Sequence, residues 1–182
     1  MMIRLLLLTM LVITVPALAD DQQRIEQSRQ LSMQLGKQLS AELMAAMKAE
    51  GPVHAISVCN ERAPEIAQSL GANSNAIVGR TALRVRNPNN APLGEHKAVM
   101  DYFKQRIAQD PNVVPEAWFT SSNGEQHYMR AIVMQPQCAA CHGANVKPEV
   151  QQAILAKYPD DQATGFEVGE LRGSFLIRWL DK

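Results

Sequence analysis

Across residues 21–50, clusters of Gln, Lys and Glu surround apolar positions four apart: Leu31, Leu35, Leu39, Leu43 and Met47. Side chains at every fourth position share one face of an α-helix. The segment, rich in good helix formers, therefore predicts one long amphipathic helix. Gly51 stops it, and Pro52, whose missing N–H is no loss in a first turn, opens a second helix. There Ile56, Cys59, Ala63, Ile66 and Leu70 follow a three–four spacing that puts Cys59 on the apolar side. Pro64 predicts a kink or restart inside this helix, and Gly71 its end.

The period then changes. Residues 76–86 (AIVGRTALRVR) read as β, and residues 87–92 (NPNNAP) as loop. Residues 94–109 return to helix, with Met100, Phe103 and Ile107 on one side, until Asp110 and Pro111 end it. Residues 117–120 and 127–134 predict two strands around a turn at Ser122, Asn123 and Gly124. A short helix over 148–156 precedes the last segment, 171–180 (LRGSFLIRWL). Its alternation puts Leu171, Gly173, Phe175, Ile177 and Trp179 on one face. Helices early and strands mostly late predict an α+β fold, an antiparallel sheet with N-terminal helices packed alongside.

Residues 1–19 follow neither period. Arg4 precedes an apolar run from Leu5 to Val15, and small residues at Ala17 and Ala19 precede Asp20. This is the layout of a cleavable export signal, and its apolar stretch of about 15 residues falls short of the roughly 20 a spanning helix needs. Cleavage after Ala19 leaves residues 20–182 as one domain. Removing 19 of 182 residues leaves 163, enough for a hydrophobic core. The expectation is a soluble periplasmic protein with no stable membrane insertion. Without Arg4, 17 basic side chains face 18 acidic ones. That balance gives no electrostatic reason to expect nucleic acid or an anionic membrane as partner.

Export sharpens the reading of the three cysteines. Residues 137–143 read QCAACHG. Two thiols three residues apart with an imidazole directly after them form the attachment pattern of a covalent c-type haem. Cys138 and Cys141 would bind the porphyrin, and His142 would ligate the iron. A thioredoxin-like pair should follow a strand in a βαβ unit, and a zinc site needs further spaced ligands; neither context surrounds Cys138. Cys59 is then left without a partner in the chain, in a compartment that favours disulfides.

No Met, His or Cys follows His142, so a protein ligand on the second face of the iron, Lys apart, must come from upstream. This position excludes the arrangement of the common small cytochromes c. The strand-like alternation over 117–134 also argues against a cytochrome c′-like four-helix bundle. The upstream candidates are Cys59, His54, His96, His127, Met33, Met44, Met47, Met100, Met129 and Met134. Methionine at helical or strand spacing reads first as core filling, and His96 as a partly exposed, solvated histidine. For Cys59 an inert buried thiol and a metal ligand stand level on spacing alone.

Several strings point one way together: AISVC at 55–59 with Ala63 and Pro64, VGRT at 78–81, RNPNNAP at 86–92 and CAACHG at 138–143. YP at 158–159, ATGF at 163–166 and GELRG at 169–173 complete the set. In these the chain resembles a family of exported haem-c-binding domains with a PAS-like fold. That family was first catalogued as a domain of unknown function. It occurs as lone soluble cytochromes and as sensor modules of histidine kinases and chemoreceptors. The resemblance runs from the first helix nearly to the last residue and implies axial ligation by Cys59 and His142. Glu170 stands where the family often has Asp, and Ala131 where it commonly has Pro; neither touches the iron.

A thiolate at Cys59 would favour Fe(III) and lower the reduction potential of a single covalent haem. The resting state expected is six-coordinate, low-spin and ferric, with an Fe–S bond that weakens on reduction and admits CO or NO. Arg80, Arg84, Arg86 and Arg172 are candidates for the haem propionates, against the plainer reading of solvated or turn-fastening arginines. Low-potential electron transfer is the function expected. The alternative is a redox or gas sensor acting through a separate partner protein. An enzyme would need an open iron position and placed acid–base groups, which a bound Cys59 blocks, so no enzymatic activity is expected. The partner expected is an unidentified redox or signalling protein, and a homodimer through the first helix is left open.

Overall fold

A computed structural model describes residues 16–180. The export signal read at residues 1–19 lies, up to Val15, outside the described residues. Helix α1, Pro16–Ser57, carries the leucine stripe and breaks at Gly51 (φ 81°, ψ −175°), a left-handed conformation that glycine adopts without steric cost. Pro52 starts the continuation, as expected. The chain next makes a π-helical turn, Val58–Arg62, in which the Ala63 N–H donates to the Val58 carbonyl, and enters α2, Ala63–Ala72. Pro64 stands in the first turn of α2 and has no N–H for the carbonyl four residues back, so the ladder loosens just before it. The restart predicted at Pro64 is therefore real, and Cys59 lies in the widened turn.

Four strands, β1 (Ala76–Thr81), β2 (Glu116–Thr120), β3 (Gln126–Val133) and β4 (Leu171–Trp179), form one antiparallel sheet in the order β1-β4-β3-β2. Helices α1 and α2 cover one face, where Leu31, Leu35, Leu39, Ile66, Val78, Tyr128, Ile177 and Trp179 form a core. Burying a side chain such as Leu35 completely contributes about 1.5–3 kcal/mol. Helix α3, His96–Gln109, covers the other face with Met100, Phe103 and Ile107 against Met129 and Ala131. The fold is the expected α+β architecture. Among the described residues, no helix is long and apolar enough to cross a membrane.

Polar ties fix α1 on the sheet. The Trp179 Nε1–H donates to Ser28 Oγ at 3.0 Å. Glu116 accepts from Arg29 Nε at 2.8 Å, the Tyr128 hydroxyl at 2.8 Å and Arg130 Nη1 at 3.2 Å. The Arg29 hydrogen bond holds the Glu116 carboxyl below its usual range.

Two segments depart from the sequence pattern. The β-like run over 76–86 yields a strand only to Thr81. The Ala82 N–H and the Thr81 hydroxyl both turn to the Asn90 carbonyl, at 3.2 and 3.1 Å, and the chain folds back over the 3-10 turn Pro88–Asn90. In β4, Ile132 pairs with Gly173 but Val133 pairs with Leu171, so Arg172 is the extra residue of a bulge. The bulge moves Leu171 to the α3 face with Leu176, away from Phe175, Ile177 and Trp179 on the α1 face.

Candidate functional site

The haem-type motif occupies the 3-10 turn Pro136–Cys138 and a single helical turn, α4, Ala139–His142. It sits between two small apolar clusters. Cys138 and Ala139 pack on Met134, Ala163 and Phe166, while Cys141 packs on Ile56, Val150, Ile154 and Tyr158. Val150 and Ile154 belong to α5, Pro148–Lys157. Ile56 lies one turn before Cys59, so this second cluster brings the Cys59 helix to the motif.

Gly143 closes α4 under tight constraint. Its N–H donates to the Ala139 carbonyl at 3.0 Å, and a Cβ there would stand 2.7 Å from that same oxygen. The next segment bridges back, with Gly165 N–H to Gly143 O at 2.9 Å and Phe166 N–H to His142 O at 3.0 Å. Ala163, fully buried, receives the Nδ1–H of His142 on its carbonyl at 2.6 Å. Arg172 Nε also approaches Nδ1, at 3.3 Å. One nitrogen cannot both carry a proton and accept one, and the shorter bond puts the proton on Nδ1. Nε2, which makes no hydrogen bond among the described residues, is left with its lone pair free. That is the tautomer a metal-binding histidine needs. Burial, then the charges of Arg172 and Arg86, pushes the His142 pKa down to about 2, so the imidazole is neutral.

Of the four arginines named from the sequence, Arg86 and Arg172 touch this motif, Arg80 acts on His142 through its charge, and Arg84 reaches only Phe166 beside it. Arg86 is buried and paired with Asp161, Nε to Oδ1 at 3.0 Å, and its Nη2 also donates to the Cys141 carbonyl at 2.7 Å. Arg84 is exposed, with its guanidinium 3.6 Å above the Phe166 ring. Arg172 lies over the same ring at 5.2 Å and donates to the Arg84 carbonyl at 3.3 Å. Burial, then Arg86 and Arg80, lowers its pKa to about 10. Burial lowers the pKa of Arg80 as well. Among the described residues Asp161 is the one carboxylate hydrogen-bonded to any of the four, and Arg80 has no hydrogen-bonding acceptor.

Cys59 opens into a cleft of about 560 Å³ that Arg80, Asn87, Asn89 and Asn90 also line. Its sulfur lies close enough for a negative charge there to act on Arg80, Tyr158 and Cys141, while burial is the larger cause that raises the pKa of the Tyr158 hydroxyl and of the Cys141 thiol. The donor set therefore suits an iron porphyrin. Cys59 and His142 offer a soft and a borderline ligand, the turn before His142 adds two thiols, and Arg80 is a half-buried cation with no hydrogen-bonded anion.

The remaining upstream candidates lie elsewhere, with one exception. Met33 and Met44 are exposed, Met47 is half-buried, and His54 pairs with Glu50 at 3.2 Å. Met100 and Met129 fill the α3 core, but Met134 packs beside Cys138. The expectation of a solvated His96 is overturned. His96 is buried, takes the Leu93 N–H on Nδ1 at 3.3 Å and donates from Nε2 to His127 Nδ1 at 3.0 Å. His127 Nε2 then donates to Glu125 at 3.2 Å. Asp161, Tyr158 and Ala163 took no part in the sequence reading of the site. Their one signal was their place within or beside the YP and ATGF strings.

The Tll0287-like family model matches residues 14–179 of the chain. Among solved structures, that of the cyanobacterial heme-protein Tll0287 is similar, at 29% sequence identity and a TM-score of 0.62, over 90% of this chain and 94% of that one. No curated protein matches the chain.

Proposed function

This chain belongs to the Tll0287-like family, and from that premise we propose that it is a haem-binding electron-transfer protein. In this reading it is a periplasmic c-type cytochrome with one haem bound through Cys138 and Cys141, and with His142 and Cys59 as axial ligands. The observation that carries it is the setting of His142. A neutral imidazole with Nδ1 bonded to Ala163 and Nε2 free stands directly after two cysteines, within the field of three guanidinium groups, Arg172, Arg86 and Arg80. Among the described residues no three His, Cys, Asp or Glu side chains are grouped to hold a bare metal ion, which argues against structural zinc, and a redox dithiol would have no use for the arginines.

Bound haem supplies a one-electron Fe(III)/Fe(II) couple. The chain's own groups set its conditions. Cys59, held to the iron as a thiolate, would donate charge that favours the ferric state and a low potential. His142 is held in one tautomer. Arg80, Arg84 and Arg172 would offset the propionate charge, while Arg86 is already committed to Asp161. With both axial positions filled by side chains, no enzymatic role is proposed.

The test is low-temperature EPR and optical spectroscopy of the purified protein beside Cys59→Ser. Sulfur-ligand features in the wild type that vanish in the variant are the expected result; identical spectra would remove Cys59 from the iron. One observation favours the sensor alternative. Cys59 sits in a π-helical turn, a geometry frequent at functional sites. Since ferrous CO binding is expected in either reading, a CO-dependent change in binding to a separate partner protein would be the result that supports that role.

A further inference from the structure

We propose that Arg86 and Asp161 are the positioning residues of His142: together they fix the Ala163 peptide whose carbonyl sets how strongly Nε2 donates to a metal. This rests on the haem reading above. Arg86 and Asp161 have side chains only 8% and 3% exposed and meet through two contacts, Nε to Oδ1 at 3.0 Å and Nη2 to Oδ2 at 3.3 Å. Asp161 Oδ1 also accepts the Ala163 N–H at 3.1 Å, and Arg86 Nη2 reaches the Ala163 carbonyl at 3.4 Å. The peptide is thus gripped on both sides of Ala163. Its oxygen meets His142 Nδ1–H at 2.6 Å, where no water competes because Ala163 is fully buried. The same guanidinium holds the Cys141 carbonyl at 2.7 Å, so one group aligns the histidine's own turn and its acceptor.

A buried ion pair is by itself weak evidence for stability, since apolar side chains of similar volume often serve as well. What this pair adds is direction. A rigid acceptor on Nδ1–H lends the ring imidazolate character and strengthens Nε2 as a donor to iron.

The decisive variants are the double substitution Arg86→Met with Asp161→Leu, which leaves no unpaired charge, and Asp161→Asn, which keeps an acceptor for the Ala163 N–H. Equal covalent haem content by pyridine haemochrome is the control. The double variant is expected to shift the Fe(III)/Fe(II) ratio at fixed poise about tenfold toward Fe(II), which is about 59 mV for one electron. Its ferric EPR g-values should move too, with Asp161→Asn falling between it and wild type. Wild-type potential and g-values in the double variant would overturn the assignment; if that variant fails to accumulate, Asp161→Asn decides by the same readouts. Should the wild type carry no covalent haem, the parent reading falls alone. The positioning is then read from ¹⁵N shifts of His142, where an unchanged Nδ1–H tautomer in both variants would overturn it.

Discussion

At the scale of single residues, Arg80 poses the sharpest energetic question. It is a half-buried guanidinium with no carboxylate hydrogen-bonded to it, in a cleft it shares with Cys59. In haem-free protein Arg80→Met should raise stability, by no more than about 1 kcal/mol because the half-buried charge it removes keeps some contact with water. In haem-loaded protein the same change should lower stability by about 1–3 kcal/mol, since a charge-assisted contact is lost. Calorimetry of both forms reads the difference, and equal signs would remove Arg80 from the propionates. His96 gives a second test. Burial, then His127 and Arg178, pulls its pKa below the ordinary 6.5, while Glu95 opposes them and Glu125 faces His127. The unfolded chain therefore takes up the proton first. Stability is complete above about pH 6.5 and falls as the pH drops below it. Thermal midpoints should decline between about pH 7 and pH 5 more steeply in wild type than in His96→Gln.

At the scale of elements, α4 depends on Gly143, where a Cβ would lie 2.7 Å from the Ala139 carbonyl. Gly143→Ala must unwind that turn or displace the Phe166 segment, at a cost of about 2–4 kcal/mol in chemical denaturation. The helices and most strands were legible because their buried stripes repeat with one period, as the leucines of α1 and the Met100, Phe103 and Ile107 face of α3 show. What escaped was set by partners far along the chain. Residues 82–86 alternate as a strand does, but the Asn90 carbonyl claims their first N–H. Leu171 sits on the opposite face because of a bulge at Arg172 that no local pattern announces. His96 looked solvated because its partners, His127 and Glu125, lie on another element.

At the scale of the molecule, the site lies where two small apolar clusters meet beyond the edge of the main cores. Its metal-binding side of the reading, Cys138, Cys141 and His142, stood in one contiguous string, and Cys59 stood out by being the unpaired thiol. Asp161 could not be found that way. It follows a second aspartate in a stretch without periodicity, and only the fold shows that it faces Arg86. Through that guanidinium, the loop after β1, the turn of α4 and the irregular segment at Ala163 become one mechanical unit. Its parts cannot loosen one at a time, so the amide protons of Gly143, Ala163 and Phe166 should trade for deuterium only through global opening, at a single shared free energy. Mass spectrometry of exchange should find all three among the slowest in the chain.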